Sequence, residues 1–275
     1  MAKSAYIRPK SLPDFSSPPL SEVVLGVQFQ SPIGYQQIHA GDVWRLFKDD
    51  YPIVQEHQAL APTFENFGLS TQSMTVPINL ISGAMHDRFW FLESDGGNEL
   101  LQFQQDRLLH NWRKFGSSKY PRFKYMIDKL EKELKLFESF ANGLAPQNLN
   151  INQCEISFIN QILVDDFTGS EAGKWLRFLS FDKNSPNDFN LTLREAINNA
   201  QNKPQGRLIV EVGSAIDGNG KKIIQLNLTA RGAPDSANIK SALDFLAIGH
   251  DLIVNRFAEL TTDEAHQKWG RTTNA

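Results

Sequence analysis

Apolar and polar residues alternate along several stretches of the chain, and a period of two predicts β-strands. The stretch EVVLGVQFQ (22–30) carries an apolar residue at every second position. The runs RFWFLE (88–93) and RLIVEV (207–212) are rich in the aromatic and β-branched residues that strands favour. A glycine-containing turn follows each of these two runs, at 94–98 and at 217–220. Because Asp-Gly and Gly-Gly pairs adopt the positive φ angles of tight turns, the pattern predicts two hairpins.

A spacing of three to four residues marks two long helices. Apolar residues recur on one face over 123–141 and again over 239–260. Gly143 is typical of the end of the first helix. Two shorter helices are predicted at 38–47 and 170–178.

The elements occur twice in the same order, which indicates an internal duplication. A strand, a helix, further strands, a hairpin and a long helix follow one another in residues 21–145 and again in residues 146–275. The return strand LLQFQ (100–104) matches IIQLN (223–227). The alternative is that any two α+β segments with a hairpin look alike. We predict an α+β fold in which an internally duplicated antiparallel sheet carries long helices on one face. This arrangement resembles the pseudo-symmetric saddle of the TATA-binding protein.

Two stretches carry weaker patterns. Residues 1–20 contain four prolines and four serines, and we expect a flexible N-terminal arm there. The stretch 55–82 is expected to supply one or two strands of the first half.

The return strands carry amides at alternate positions. Since Leu101 and Phe103 are apolar at a period of two, the glutamines between them should project away from the helices, onto a sheet face open to solvent. Amides donate and accept hydrogen bonds but do not titrate, so they suit the recognition of a polypeptide strand, a base edge or a small polar ligand. The alternative is a merely solvated polar face. The candidate binding residues are these amides and the polar run after the first return strand: Gln102, Gln104, Asp106, Arg107, His110, Asn111, Trp112, Arg113, Gln225 and Asn227.

Composition narrows the classes of partner. The chain has 275 residues and a formal net charge of −3, so it lacks the basic field that drives non-specific nucleic-acid binding. Cys154 is the single cysteine, so no intrachain disulfide can form. No apolar run approaches the roughly 18 residues of a membrane span, and the N-terminus lacks a signal-peptide pattern. We therefore expect a cytoplasmic protein that does not enter a membrane.

Sequence signatures of catalysis and metal binding are missing. The six histidines do not stand at helical metal-ligand spacing, and there is no Cys-x-x-Cys pair, so we expect no metal, no cofactor and no catalytic residue. His250 lies on an apolar helix face and is interpreted as a satisfied core histidine. Asn160 falls on the core side of a strand, where a buried amide either holds the structure together through its hydrogen bonds or forms part of a pocket. An enzyme with a site between the halves, built on His110, Asp106 and Arg107, remains an alternative.

Three motifs together resemble a known bacterial family. They are PPLSEVVLGVQF (18–29), LLQFQQDRLLHNWRK followed by YPRF (100–123), and LTTDEAHQKWGR (260–271). They are similar to a sporadically distributed family of proteins of about 250 residues, a length that suits one or two domains. The resemblance brings no catalytic residues. A patchy distribution implies accessory genes such as antiphage-defence or toxin–antitoxin operons.

These observations favour a non-enzymatic binding or regulatory protein. We expect it to recognise a protein partner, encoded nearby, through the polar sheet face. A nucleic-acid-binding protein that uses the saddle is the alternative, which the acidic net charge disfavours.

Overall fold

The computed structural model describes residues 6–67, 87–94, 96–179 and 186–272. The strands are β1 (Asp14–Phe15), β2 (Leu20–Phe29), β3 (Ile53–His57), β4 (Arg88–Leu92), β5 (Glu99–Gln104), β6 (Arg107–Arg113), β7 (Ile151–Leu163), β8 (Asn190–Asn198), β9 (Pro204–Ile216), β10 (Lys222–Gly232) and β11 (Arg271–Thr272). The helices are α1 (Ala40–Phe47), which a 3-10 turn (Gln37–His39) precedes, α2 (Phe123–Leu144), α3 (Gly169–Trp175), α4 (Ile239–Leu260) and α5 (Asp263–Lys268).

Nine of these strands form one antiparallel sheet in the order β3-β4-β5-β6-β2-β7-β10-β9-β8. β2 and β7 pair at its centre. The remaining two, β1 and β11, form a separate two-stranded ladder. The predicted α+β class with a large antiparallel sheet is therefore confirmed.

The long helices α2 and α4 pack on the face of the sheet that carries its alternating apolar residues. The ring of Phe137 on α2 lies 5.4 Å from that of Phe103 on β5. On α4, a Cβ added at Gly249 would lie 2.8 Å from the Ile156 side chain, so this helix approaches β7 closely. α4 begins where the Asn238 side chain accepts a hydrogen bond from the main-chain N–H of Ser241.

The N-terminal segment, expected as a flexible arm, packs against the rest of the chain over its described residues. The Tyr6 hydroxyl donates to Asp251 of α4 at 2.8 Å. Leu12 and Phe15 are buried, and Phe15 pairs in register with Arg271 of β11. Burial of these apolar side chains ties residues 6–20 to α4 and to the C-terminal region.

The turn between β9 and β10 forms as predicted. Gly220 has a φ of +78° and donates its N–H to Asp217 O at 3.0 Å. Of the predicted turn at 94–98, residue 95 lies outside the described residues, and Gly96 has a φ of +74°. From the stretch 55–82, β3 and an irregular segment up to residue 67 are described, and the remainder lies outside the described residues.

The strand order does not place the two matched return strands at equivalent positions in the sheet. β10 lies beside the central strand β7, and β6 holds the same place beside β2. β10 and β6 therefore hold equivalent positions in the sheet order, whereas the match of 100–104 to 223–227 paired β10 with β5. Both return strands follow a glycine turn, which is why their local patterns look alike.

Candidate functional site

Gln102 and Gln104 project away from the helices, as the period of two predicts, but they do not lie on an open face. Their exposed fractions are 7% and 4%. The expectation of solvent exposure is therefore wrong for β5. The reason for Gln104 is a segment that sequence periodicity does not reveal: residues 58–67, here named the strap, cross this face of the sheet.

Gln104 binds the main chain of the strap at two points. Its Oε1 accepts from the N–H of Leu60 at 2.8 Å, and its Nε2 donates to the carbonyl of the same residue at 2.9 Å. A carboxamide carries one donor and one acceptor side by side, as a peptide group does, and so it can pair with a peptide main chain.

The strap then passes over β6 and β2. The guanidinium of Arg107 donates to the Ala61 carbonyl at 3.0 Å. Gln28 on β2 accepts from the N–H of Thr63, also at 3.0 Å. Three side chains of the polar face thus bind successive main-chain groups of the strap.

The far end of the strap is held by charge. Glu65 lies 3.2 Å from Arg207 of β9 and 3.2 Å from Arg231 of β10. Arg207 also donates to the Asn66 carbonyl at 2.6 Å. The strap therefore reaches from β5 across the centre of the sheet to β9.

Most side chains of the strap are exposed to solvent. Of its residues only Glu65 is half-buried, and Phe64 is 52% exposed. Because few apolar contacts hold it, its main-chain hydrogen bonds should open at a low cost in free energy compared with those of the sheet.

Beside the strap, Gln102 is enclosed by side chains of the sheet itself. Its Oε1 accepts from Arg88 at 2.9 Å and from Trp90 at 3.1 Å, and its Nε2 donates to Asn111 at 2.9 Å. Asn111 donates in turn to Glu22 at 2.7 Å. Burial raises the pKa of Glu22, against the opposing effects of Asn111 and Arg113.

The polar face is more open on β10. Gln225 and Asn227 are half-exposed, and the Nε2 of Gln225 donates to Oδ1 of Asn227 at 3.3 Å. These two amides lie on the same face as Arg231, which the strap reaches, but make no hydrogen bond to the strap's described residues.

His110 and Trp112 do not join this face. They alternate with Arg107, Asn111 and Arg113 along β6, so they point toward the helices. The ring of Trp112 lies 5.4 Å from that of Tyr120. The grouping of His110 with Asp106 and Arg107 as a catalytic site is therefore wrong, because the strand separates their side chains.

His110 instead belongs to a buried cluster with Tyr51 and Glu133. Its Nδ1 lies 3.1 Å from both carboxylate oxygens of Glu133, which also accepts from the Tyr51 hydroxyl at 2.6 Å. Burial acts to raise the pKa of Glu133, but His110, Tyr51 and Lys129 outweigh it and hold that pKa below its ordinary value.

This cluster was missed by sequence reasoning. The signal was Glu133 itself, which stands within the apolar stripe of α2 between Leu130 and Phe137. A carboxylate on the inner face of a helix requires partners, and Tyr51 and His110 supply them.

Within the described ranges, no group of three or more His, Cys, Asp or Glu side chains is arranged to hold a metal ion. None of the described helices is long and apolar enough to cross a membrane. Comparison of the chain with protein-family models, curated proteins and solved structures finds no match.

Proposed function

We propose that the protein is a non-enzymatic binding protein whose polar sheet face takes an extended polypeptide segment of a protein partner. The partner segment would replace the strap and use the same side chains: Gln104, Arg107 and Gln28. The strap is then an internal substitute for the ligand.

The two-point pairing of Gln104 with the Leu60 main chain carries this proposal. Side chains that bind main-chain N–H and C=O groups are indifferent to the residues of the bound segment, as in other modes of extended-peptide recognition. The exposed, weakly packed strap supports its exchange for another segment. The half-exposed amides of β10 extend the same face beyond the strap.

A synthetic peptide with the strap sequence QALAPTFENF (58–67) tests the proposal in trans. We expect it to bind a variant in which residues 58–67 are replaced by a Gly/Ser linker of equal length, and to bind the wild type at least about tenfold more weakly, since the wild-type strap competes. Fluorescence anisotropy of the labelled peptide measures both affinities.

Gln104→Leu in the linker variant should weaken binding of the peptide by about thirtyfold, because two hydrogen bonds of about 1 kcal/mol each are lost. Gln225→Leu is the matched control, since Gln225 lies on the same face outside the strap's contacts. A folded linker variant that does not bind the peptide, or binds it equally well with Gln104→Leu, would rule the proposal out.

We further propose that the partner is encoded beside this chain in a bacterial defence or toxin–antitoxin operon and that both are cytoplasmic. The support is the family resemblance of the three motifs. Purification of the tagged chain from its native host should recover the neighbouring gene product, and the linker variant should recover more of it. Recovery of that product unchanged by the strap would contradict the shared site.

We also propose that the chain arose by internal duplication into a TATA-binding-protein-like saddle, with β6 and β10 as counterparts. Glu22 of β2 stands opposite Arg113 of β6, and Glu155 of β7 stands opposite Arg231 of β10. The helix that follows each pair has 22 residues. Superposition of β2, β6 and α2 on β7, β10 and α4 tests the proposal, and helices that diverge in direction would refute it.

A further inference from the structure

A second site lies on the helix side of the sheet, independent of the polar face. A cavity of about 350 Å³ is enclosed by residues 6–20, the start of α2, α4 and the central strands. It is named here the N-terminal cavity. Its wall is mostly apolar and includes the side chains of Phe15, Leu20, Phe123, Leu228, Ile253 and Phe257. A volume within the range of small-molecule pockets and an apolar wall with few polar groups are typical of ligand sites.

Two polar atoms at the inner wall have an unused capacity to accept hydrogen bonds. Asn160 is 3% exposed, and its Nδ2 donates to the Leu226 carbonyl at 3.1 Å, but its Oδ1 accepts from none of the described residues. The Nδ1 of His250 lies 2.8 Å from the carboxylate of Asp251 and 3.0 Å from the Tyr6 hydroxyl, which itself donates to Asp251. Because the carboxylate can only accept, we assign the proton of the ring to Nδ1. The Nε2 of His250 is then left as an acceptor without a partner in the described ranges. Both residues line the cavity.

A third polar group belongs to the same wall. The hydroxyl of Tyr120 is buried without a hydrogen-bond partner among the described residues. Buried polar groups are nearly always paired, so the Tyr120 hydroxyl indicates a ligand or water beside it, and the acceptor atoms of Asn160 and His250 line the same cavity. Asn160 therefore has both of the roles expected for a buried amide at this position: it donates a hydrogen bond to β10, and it lines a pocket.

One cation at the rim of the cavity, Arg8, has no carboxylate partner among the described residues. Three basic side chains line the cavity, Arg8, Arg122 and Lys124, against one carboxylate, Asp14. Arg122 binds Asp14 at 2.7 Å, and Lys124 binds Asp128 at 2.6 Å. Arg8 bonds only to the carbonyls of Leu12 and Pro13 among the described residues, so no carboxylate there neutralises it.

The start of α2 adds to this positive potential. Arg122 gives the helix no side-chain cap, and the first turn contains no acidic residue. The positive end of the helix dipole therefore lies at the rim without a negative residue of α2 to offset it.

We propose that the N-terminal cavity binds a small amphiphilic anion. The ligand has an acidic head group beside Arg8 and the start of α2, and an apolar body of about a dozen non-hydrogen atoms, from the cavity volume and about 30 Å³ for each water-sized unit. A hydroxyl on the apolar body donates to Asn160 or His250.

Isothermal titration calorimetry of the full chain with three probes tests the proposal. We expect ω-hydroxydecanoate to bind with one-to-one stoichiometry, decanoate to bind more weakly, and 1-decanol to bind at least about tenfold more weakly than decanoate, a ratio that corresponds to about 1.4 kcal/mol. Removal of the acidic head thus costs more than removal of the hydroxyl.

Two variants locate the site. Arg8→Gln should weaken decanoate and leave 1-decanol unchanged, because only the anion meets the guanidinium. Val254→Phe, on the cavity wall, should weaken all three probes, whereas Val54→Phe on the exposed edge strand β3 should weaken none. Absence of saturable binding by every probe, equal binding of acid and alcohol, or indifference to both Arg8→Gln and Val254→Phe would overturn the proposal.

Discussion

At the scale of single residues, Glu133 is a carboxylate buried between α2 and the sheet. It is 4% exposed, it faces His110 on the sheet and Tyr51 before β3, and so it links α2 to the first half of the sheet. A buried carboxylate without partners would be costly, but three neighbours that favour its charged form hold its pKa down.

Glu133→Gln should lower the free energy of unfolding by about 3 kcal/mol near neutral pH, because it removes a buried carboxylate that accepts from Tyr51 and lies within hydrogen-bond distance of His110. Glu131→Gln is the matched control on the same helix: its partner is the exposed Lys135, and the cost should stay below about 1 kcal/mol. Urea denaturation of the three proteins measures the difference. Equal losses in the two variants would show that the buried cluster has no special role.

The same residue predicts a pH dependence. The folded-state pKa of Glu133 lies below the ordinary value of 4.5, so its contribution to stability is complete above that pH and is lost as the pH falls through the folded-state value. Wild-type stability should therefore fall more steeply below about pH 4.5 than that of Glu133→Gln. Parallel curves for the two proteins in this range would contradict the assignment.

At the scale of elements, close packing of α4 on the sheet depends on Gly249. A Cβ there would lie 2.8 Å from Ile156 Cγ2 and 2.9 Å from Ala230 Cβ, both shorter than contacts that side chains tolerate. Gly143 near the end of α2 is the opposite case, since a Cβ would meet nothing within 4 Å.

Gly249→Ala should therefore destabilise the protein by about 1–3 kcal/mol through overpacking. Gly143→Ala should stabilise it by up to about 1 kcal/mol, because alanine has less backbone freedom to lose in a helix. Thermal unfolding of the two variants tests whether their effects on stability have opposite signs. A stabilising Gly249→Ala would mean that α4 lies farther from β7 than described.

The periodicity of the sequence predicts most elements because strand and helix patterns are local. The ranges 22–30 and 239–260 match β2 and α4 closely, and 207–212 falls inside the longer strand β9. Strand pairing is not local, because the residues of β2 and β6 that pair are between 79 (Gln28 and Arg107) and 91 (Glu22 and Arg113) positions apart. No local pattern distinguishes β6 from a polar strand end. Once β6 is known to be a strand, the period of two gives the side chains that face the helices. Without that assignment, the sequence does not give them.

At the scale of the whole molecule, one face of the sheet is covered by helices and the other is crossed by the strap. The polar character of the second face was predictable from alternating glutamines, but its coverage was not. The strap has no periodicity, and its contacts run to side chains on β5, β6, β2, β10 and β9. Because the strap's main chain is bound by side chains of other elements, its own sequence needs no periodic pattern.

Amide hydrogen exchange of the wild type, with and without saturating QALAPTFENF peptide, tests the central claim most directly. If the peptide and the strap compete for one face, the N–H groups of Leu60 and Thr63 should exchange faster when the peptide is bound, while those of β2 and β6 stay protected. Peptide that binds while exchange at Leu60 and Thr63 stays unchanged would contradict the account, since the polar face would then not be the site that holds both segments.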